Sequence, residues 1–84
     1  MPVQEQDVAQ IWAEVIGIGI DEVDVETNFF DLGGGSLLLI KLVDRLHADL
    51  GIETNIVELL EYSTIAEFVS YRNALPDEAE SGRR

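Results

Sequence analysis

Residues 31–38 read Asp-Leu-Gly-Gly-Gly-Ser-Leu-Leu, a glycine run that ends at a single serine where an apolar helical pattern begins. Glycine has no Cβ, so another molecule can approach this backbone closely. Ser36 is the only hydroxyl in the stretch and stands where a helix N-cap is expected, just before Leu37. The amides and the positive dipole end of a helix favour an anion at that point. The stretch therefore predicts either a plain helix cap or an acceptor for a phosphoester at Ser36.

Apolar periodicity on both sides of this stretch predicts an all-α fold without strands. The spacing indicates helices over about residues 4–16, 36–50, 56–61 and 64–75. Gly17 and Gly51 are expected to end the first two, and Thr54 or Asn55 to cap the short third. The last begins with the capping-box spacing Thr64-x-x-Glu67. Between the first two helices, apolar anchors scattered over 17–35 predict an ordered loop tacked onto the core.

The predicted second helix has one apolar face for the core and a second apolar group near its first turn. The core face comprises Leu39, Leu42, Val43, Leu46 and Leu50. In the third and fourth helices we expect Ile56, Leu59, Leu60, Ile65, Phe68 and Val69 to point inward, and Trp12 to lie in the core. An exposed apolar group beside a modification site indicates a docking surface. Its predicted members, with nearby acidic residues, are Leu37, Leu38, Ile40, Asp44, Glu58 and Glu61.

Composition excludes several kinds of site. The 84 residues contain no cysteine and one histidine, so neither a disulfide framework nor a zinc site is expected. Seventeen acidic against five basic residues give a net charge of −12, which argues against binding to nucleic acid or anionic membranes. No signal peptide is visible, and the longest apolar run, residues 37–40, is far below the ~20 residues of a membrane span. We expect a cytoplasmic protein.

The chain offers no set of residues for catalysis. His47 lies eleven residues after Ser36 on the same predicted helix, which separates their backbones by roughly 16 Å. Leu38 replaces the last glycine of the G-x-S-x-G elbow, and the loop lacks the lysine of a phosphate-binding P-loop. The acidic residues of 21–26 alternate with valines and do not match a calcium loop. We expect a protein that is no enzyme and whose Ser36 is the substrate of another enzyme.

The run Phe-Phe-Asp-Leu-Gly-Gly-Gly-Ser-Leu-Leu at 29–38 resembles the attachment signature of carrier proteins, the thiolation and acyl-carrier domains. Residues 63–67, Ser-Thr-Ile-Ala-Glu, are similar to that family's Pro-Thr-Ile-Ala-Glu opening of a last helix. The resemblance implies a small four-helix bundle with a long first loop and a short third helix. It also implies covalent 4′-phosphopantetheine on Ser36, with Gly35 and Leu37 flanking the attachment point. The implied partners are a phosphopantetheinyl transferase, a loading enzyme (adenylation enzyme or acyltransferase) and downstream synthetase or synthase enzymes.

The resemblance leaves the cargo open between aminoacyl and acyl groups. The Leu-Gly-Gly-x-Ser-Leu core looks more like peptidyl carriers, whereas the strong acidity favours stand-alone acyl carriers. Gly35 departs from both patterns, because fatty-acid carriers typically have Asp directly before the serine and peptidyl carriers often have His or Asp there. We expect a monomeric carrier domain at 1–75 and a disordered tail at 76–84, a discrete protein of a nonribosomal peptide or polyketide pathway. An excised synthetase domain stays open, as does a non-catalytic acidic interaction module in which Ser36 only caps a helix.

Overall fold

The predicted periodicity corresponds to four α-helices in the computed structural model, which describes residues 3–75. The helices are α1 (Glu5–Ile16), α2 (Ser36–Leu50), α3 (Ile56–Glu61) and α4 (Ile65–Ala74), with one turn of 3-10 helix at Ile20–Glu22. No strand occurs within this range, so the all-α prediction is confirmed. The predicted tail at 76–84 lies outside the described residues.

The helix ends show why the sequence predicted their bounds well. Gly17 and Gly51 adopt left-handed φ values of 90° and 68°, which only glycine accepts without strain, and end α1 and α2. Asn55 Oδ1 accepts the Glu58 amide hydrogen at 2.9 Å and so caps α3. Thr64 Oγ1 accepts a hydrogen bond from the Glu67 amide at 3.1 Å, which is one of the two hydrogen bonds of the predicted capping box.

The core lies where α1, α2 and α4 meet over the end of the first loop. Its fully buried large side chains are Trp12, Phe29, Phe68, Leu39, Leu42, Leu46, Leu59, Ile65 and Val8. Val43 and Leu50 of α2 are partly buried against them. The core face predicted for α2 is therefore confirmed, and so is the position of Trp12.

Helix α3 packs differently from the prediction. Leu59 is buried, but Ile56 and Leu60 are exposed, so the expectation that all three point inward is wrong. A helix of six residues makes fewer than two turns. Leu59 is the α3 side chain that the core buries, and the other apolar residues of α3 remain at the surface.

The long first loop is ordered by hydrogen bonds to the start of α4. The Phe29 amide donates to the Ser63 carbonyl at 2.9 Å, and Asn28 Nδ2 donates to Ser63 Oγ at 2.7 Å. The Ala66 amide donates to the Val25 carbonyl at 3.0 Å. The prediction of an ordered loop is confirmed, and these hydrogen bonds fix the last part of the loop to the start of α4.

Two polar contacts join elements that are distant in the sequence. Arg45 of α2 pairs with Glu14 of α1 at 2.5 Å and with Asp49 at 2.7 Å. Asn73, near the end of α4, holds residue 3 through a two-bond clasp: its Oδ1 accepts from the Val3 amide at 2.7 Å and its Nδ2 donates to the Val3 carbonyl at 3.0 Å. None of the helices described here has the length and apolar character needed to cross a membrane.

Candidate functional site

The glycine loop is built on Phe29. The Phe29 carbonyl accepts hydrogen bonds from the amides of Leu32 at 3.2 Å and Gly34 at 3.0 Å. Gly33 has a φ of 108°, which glycine accepts and other residues rarely adopt. These bonds turn the chain back over the buried Phe29 ring, directly before α2 begins.

Gly34 lies against that ring. A Cβ on Gly34 would lie 2.7 Å from Phe29 Cζ and closer still to Cε2 and Cδ2. The ring in turn meets Trp12 edge-on, with centroids 5.0 Å apart and planes at 81°. Glycine at position 34 thus lets the loop rest on the aromatic core.

Ser36 lies one residue further into the helix than predicted. The N-cap of α2 is Gly35, whose backbone is extended and whose carbonyl accepts the Leu39 amide hydrogen at 2.9 Å. Ser36 is the first helical residue, and the α2 N-terminus has no side-chain cap. The expectation that Ser36 is the N-cap is therefore wrong. Glycine is itself an accepted N-cap residue, which explains why the N-cap of α2 lies one residue earlier than predicted.

This position leaves Ser36 suited to a negatively charged group. Its side chain is exposed, and a Cβ on Gly35 would meet no atom within 4 Å. The first amides of an α-helix have no partner within the helix. The first turn of α2 contains no acidic residue, whereas those of α1, α3 and α4 each contain at least one. The positive dipole end of α2 is thus uncompensated, in a chain whose net charge is −12.

The predicted docking residues divide into two groups. Leu37, Ile40, Asp44 and Glu61 are exposed, with Leu37 the most prominent at 78%. The two others do not match the expectation: Leu38 is half-buried and packs against the core.

Glu58 is the second exception, with a side chain only 15% exposed. Its carboxylate accepts from Arg72 Nη1 at 3.2 Å and from the Thr54 hydroxyl. Hydrogen bonding to this carboxylate, and then its charge, raises the pKa of Tyr71. Glu58 thus joins α3 to α4 through a half-buried contact, and its carboxylate is less exposed than the docking prediction requires.

The sequence analysis missed an apolar groove between α2 and α3. It has a volume of about 410 Å³, and its lining residues are Ile40, Val43, Asp44, Thr54, Asn55, Ile56 and Val57. Val57 is 70% exposed and Leu60 is also exposed. The composition of α3 was the available signal, because four apolar residues within its six positions spread over a wider arc than one core-facing stripe.

The other chemistry-bearing residues form no second site in the described chain. His47 lies in the last turn of α2, opposite the end that begins at Ser36, and its Nε2 is 3.7 Å from a Glu53 carboxylate oxygen. Among residues 3–75 no group of three or more His, Cys, Asp or Glu side chains is placed to hold a metal. The geometry therefore leaves Ser36 as the candidate functional residue.

Comparison with known proteins places this site in context. The family model "Phosphopantetheine attachment site" matches residues 6–72. Gramicidin S synthase 2 of Brevibacillus brevis is 36% identical over 75 residues, which is 89% of this chain and 2% of that protein. Hybrid PKS-NRPS synthetase 1 of Dothistroma septosporum is 43% identical over 63 residues, which is 75% of this chain and 2% of that protein. The chain thus spans only a small fraction of these two large enzymes.

A solved structure of similar size shows the same fold. BlmI, a type-II acyl-carrier protein from Streptomyces verticillus involved in bleomycin biosynthesis, superposes with a TM-score of 0.73 at 37% identity. The match covers 83% of this chain and 82% of that one. The predicted four-helix arrangement with a long first loop and a short third helix agrees with this likeness.

Proposed function

The chain belongs to the phosphopantetheine-attachment family of carrier proteins, and from this premise we propose that Ser36 is the residue that bears the arm. The cofactor of the family is covalent 4′-phosphopantetheine. When attached, it supplies a terminal thiol that holds an aminoacyl or acyl group as a thioester. This chain contains no cysteine, so every thiol it uses must come from such a group.

The residues around Ser36 fit a phosphodiester. The exposed serine, the open space beside Gly35 and the first amides of α2 lie at one helix end, and the first turn of that helix contains no acidic residue. The single observation that supports the proposal best is the position of Ser36 at the first helical residue, where its hydroxyl is not used as a cap.

The proposed chemistry divides between this chain and its partners. In the proposed step Ser36 Oγ attacks the phosphorus of coenzyme A that bears the pantetheine arm, so that a phosphodiester forms, the pyrophosphate bond breaks and adenosine 3′,5′-bisphosphate leaves. The base that accepts the Ser36 proton comes from a phosphopantetheinyl transferase, because His47 lies at the other end of α2. The chain itself orients Ser36, leaves space around it and favours negative charge there. We propose that it has no catalytic activity of its own. Because coenzyme A is the donor, we also propose that the protein acts in the cytoplasm.

Intact-mass measurement tests the proposal. With coenzyme A and a broad-specificity transferase, the chain should gain the mass of one phosphopantetheine, and Ser36→Ala should gain nothing. Ser70→Ala, which changes an exposed serine on α4, is the matched control and should gain the same mass as the unmutated chain. If the unmutated chain shows no gain with an active transferase, the proposal fails.

We propose that partners dock on the surface formed by α2 and α3 around the groove. This docking surface consists of Leu37, Ile40, Asp44, Val57, Leu60 and Glu61, which are exposed. Its proposed partners are the transferase, a loading enzyme (adenylation enzyme or acyltransferase) and downstream synthetase or synthase enzymes, and it combines apolar area with acidic groups that complement basic residues. We propose that the chain acts as a monomer in a secondary-metabolite pathway.

Surface substitutions test the docking proposal. Leu37→Ser and Val57→Ser should raise the transferase KM by about tenfold, because each removes an exposed apolar contact of the proposed interface. Leu75→Ser changes an equally apolar exposed residue outside α2 and α3 and should leave KM unchanged. If the Leu37 and Val57 variants behave like the Leu75 variant, docking occurs elsewhere.

The cargo follows from the loading enzyme. We propose an aminoacyl or acyl thioester, since a gramicidin synthase and an acyl-carrier protein are both among the relatives of this chain. Mass spectrometry of the protein isolated from its native host would identify the arm and the attached group together.

A further inference from the structure

The step that leads from the core to Ser36 is short. Phe29 is buried, its amide is bonded to Ser63 and its carbonyl accepts the Gly34 amide hydrogen at 3.0 Å. The chain then passes through Gly35 alone before Ser36. A shift of the backbone at Gly34 would therefore reach Ser36 through one intervening residue.

The contact between Phe29 and Gly34 is closer than any other residue type would permit. Three ring atoms of Phe29 occupy the space of a Gly34 side chain. By contrast, a Cβ at Gly35 would meet nothing, so close packing is confined to position 34. The backbone of the attachment loop therefore lies directly on the Phe29 ring at position 34.

We propose that Phe29 is a positioning residue for Ser36. Its ring supports the glycine loop, and the loop holds the Ser36 hydroxyl in the position that the transferase requires. This inference rests on the proposed function of Ser36. Gly34 is the contact point through which the ring acts. A displacement of the loop by about 1 Å would move the nucleophile out of line, which is enough to lower a reaction rate by orders of magnitude.

The proposal predicts a specific kinetic pattern. Gly34→Ala should lower kcat for phosphopantetheine transfer by about tenfold or more, with KM within about threefold, because none of the side chains of the docking surface is substituted. Phe29→Leu should also lower kcat, by about three- to tenfold, since the support is lost.

The double variant Gly34→Ala/Phe29→Leu provides the rescue. Leucine lacks the ring atoms that would contact the new methyl group, so the double variant should transfer at least about threefold faster than Gly34→Ala alone. A Gly34 role limited to backbone flexibility predicts no such rescue, because the double variant keeps the alanine.

Val69→Ala is the control for lost stability. Val69 is a buried residue of α4, and its truncation should destabilise the fold without a change in kcat beyond about twofold at temperatures where the protein remains folded. In the unmodified protein, Gly34→Ala should shift the NMR amide resonances of Ser36 and Leu37, and Val69→Ala should not.

The outcomes separate the two proposals. If the unmutated chain accepts no phosphopantetheine, the proposed function of Ser36 fails. If it accepts the arm but folded Gly34→Ala keeps a kcat within twofold, or the double variant is no faster than Gly34→Ala, the positioning role is overturned. Should Gly34→Ala fail to fold, Phe29→Leu decides: an unchanged kcat overturns the positioning role, and a lowered kcat at unchanged KM supports it.

Discussion

Replacement of Ser36 by alanine should affect the chemistry of the protein and leave its stability almost unchanged. The Ser36 side chain does not cap α2, because Gly35 occupies the N-cap position. Alanine has the highest helix propensity, so we expect the free energy of unfolding to change by less than about 0.5 kcal/mol.

Thr64 provides a matched hydroxyl that does cap a helix. Its Oγ1 accepts the Glu67 amide hydrogen at 3.1 Å, and removal of such a cap costs about 1 kcal/mol. For a domain of this size that corresponds to a fall of about 4–8 °C in Tm. Asn55→Ala, which removes the α3 cap, should show a similar fall for the same reason.

Thermal unfolding followed by circular dichroism measures all three variants under one condition. We expect Ser36→Ala to melt within about 2 °C of the unmutated chain, well above Thr64→Ala and Asn55→Ala. A Ser36→Ala variant that melted as low as Thr64→Ala would refute the reasoning. It would place Ser36 at the N-cap and favour the interaction-module alternative, in which this serine has only a structural role.

Three further predictions concern the polar contacts. Glu58→Gln should lower the free energy of unfolding by about 1–3 kcal/mol in denaturant titrations, because it weakens the half-buried pair with Arg72; no loss of stability would contradict this. Arg45→Gln should lower the free energy of unfolding only slightly, and less in high salt, because its ion pairs are exposed. The pKa of Tyr71 is raised in the folded state, so its protonated hydroxyl stabilises the fold. This stabilisation is fully present below the unfolded pKa of about 10 and is lost as the pH rises through the folded pKa. The free energy of unfolding should therefore fall above about pH 10, and Tyr71→Phe should flatten that slope relative to the unmutated chain.

The sequence predicted the helices because their ends are determined locally. Gly17 and Gly51 end helices through their own left-handed conformation, and Asn55 and Thr64 cap helices through the next turn. Such signals need only a few neighbouring residues. The one-residue error at the start of α2 has the same origin, since Gly35 and Ser36 are both acceptable N-caps and local preference does not separate them.

The errors at the candidate site arise from tertiary contacts. Glutamate is usually a surface residue, but Glu58 is hydrogen-bonded to Arg72, which lies fourteen residues later in the sequence. Leu38 lies between the two faces of α2, and only its packing shows that it is half-buried. The support of the glycine loop by Phe29 likewise depends on the fold of the whole first loop. Periodicity assigns a residue to a helix face, but it does not show what covers that face.

The clasp between Asn73 and Val3 makes the bundle a candidate for backbone cyclisation. Its two hydrogen bonds, at 2.7 and 3.0 Å, hold residue 3 beside the end of α4. A short peptide that joined the chain at these two points would have little distance to cover, and segments held side by side in this way also suit circular permutation. Closure of the ring would reduce the conformational entropy of the unfolded chain. It would stabilise the protein at a point remote in sequence from Ser36, so that stability could be raised independently of the attachment chemistry.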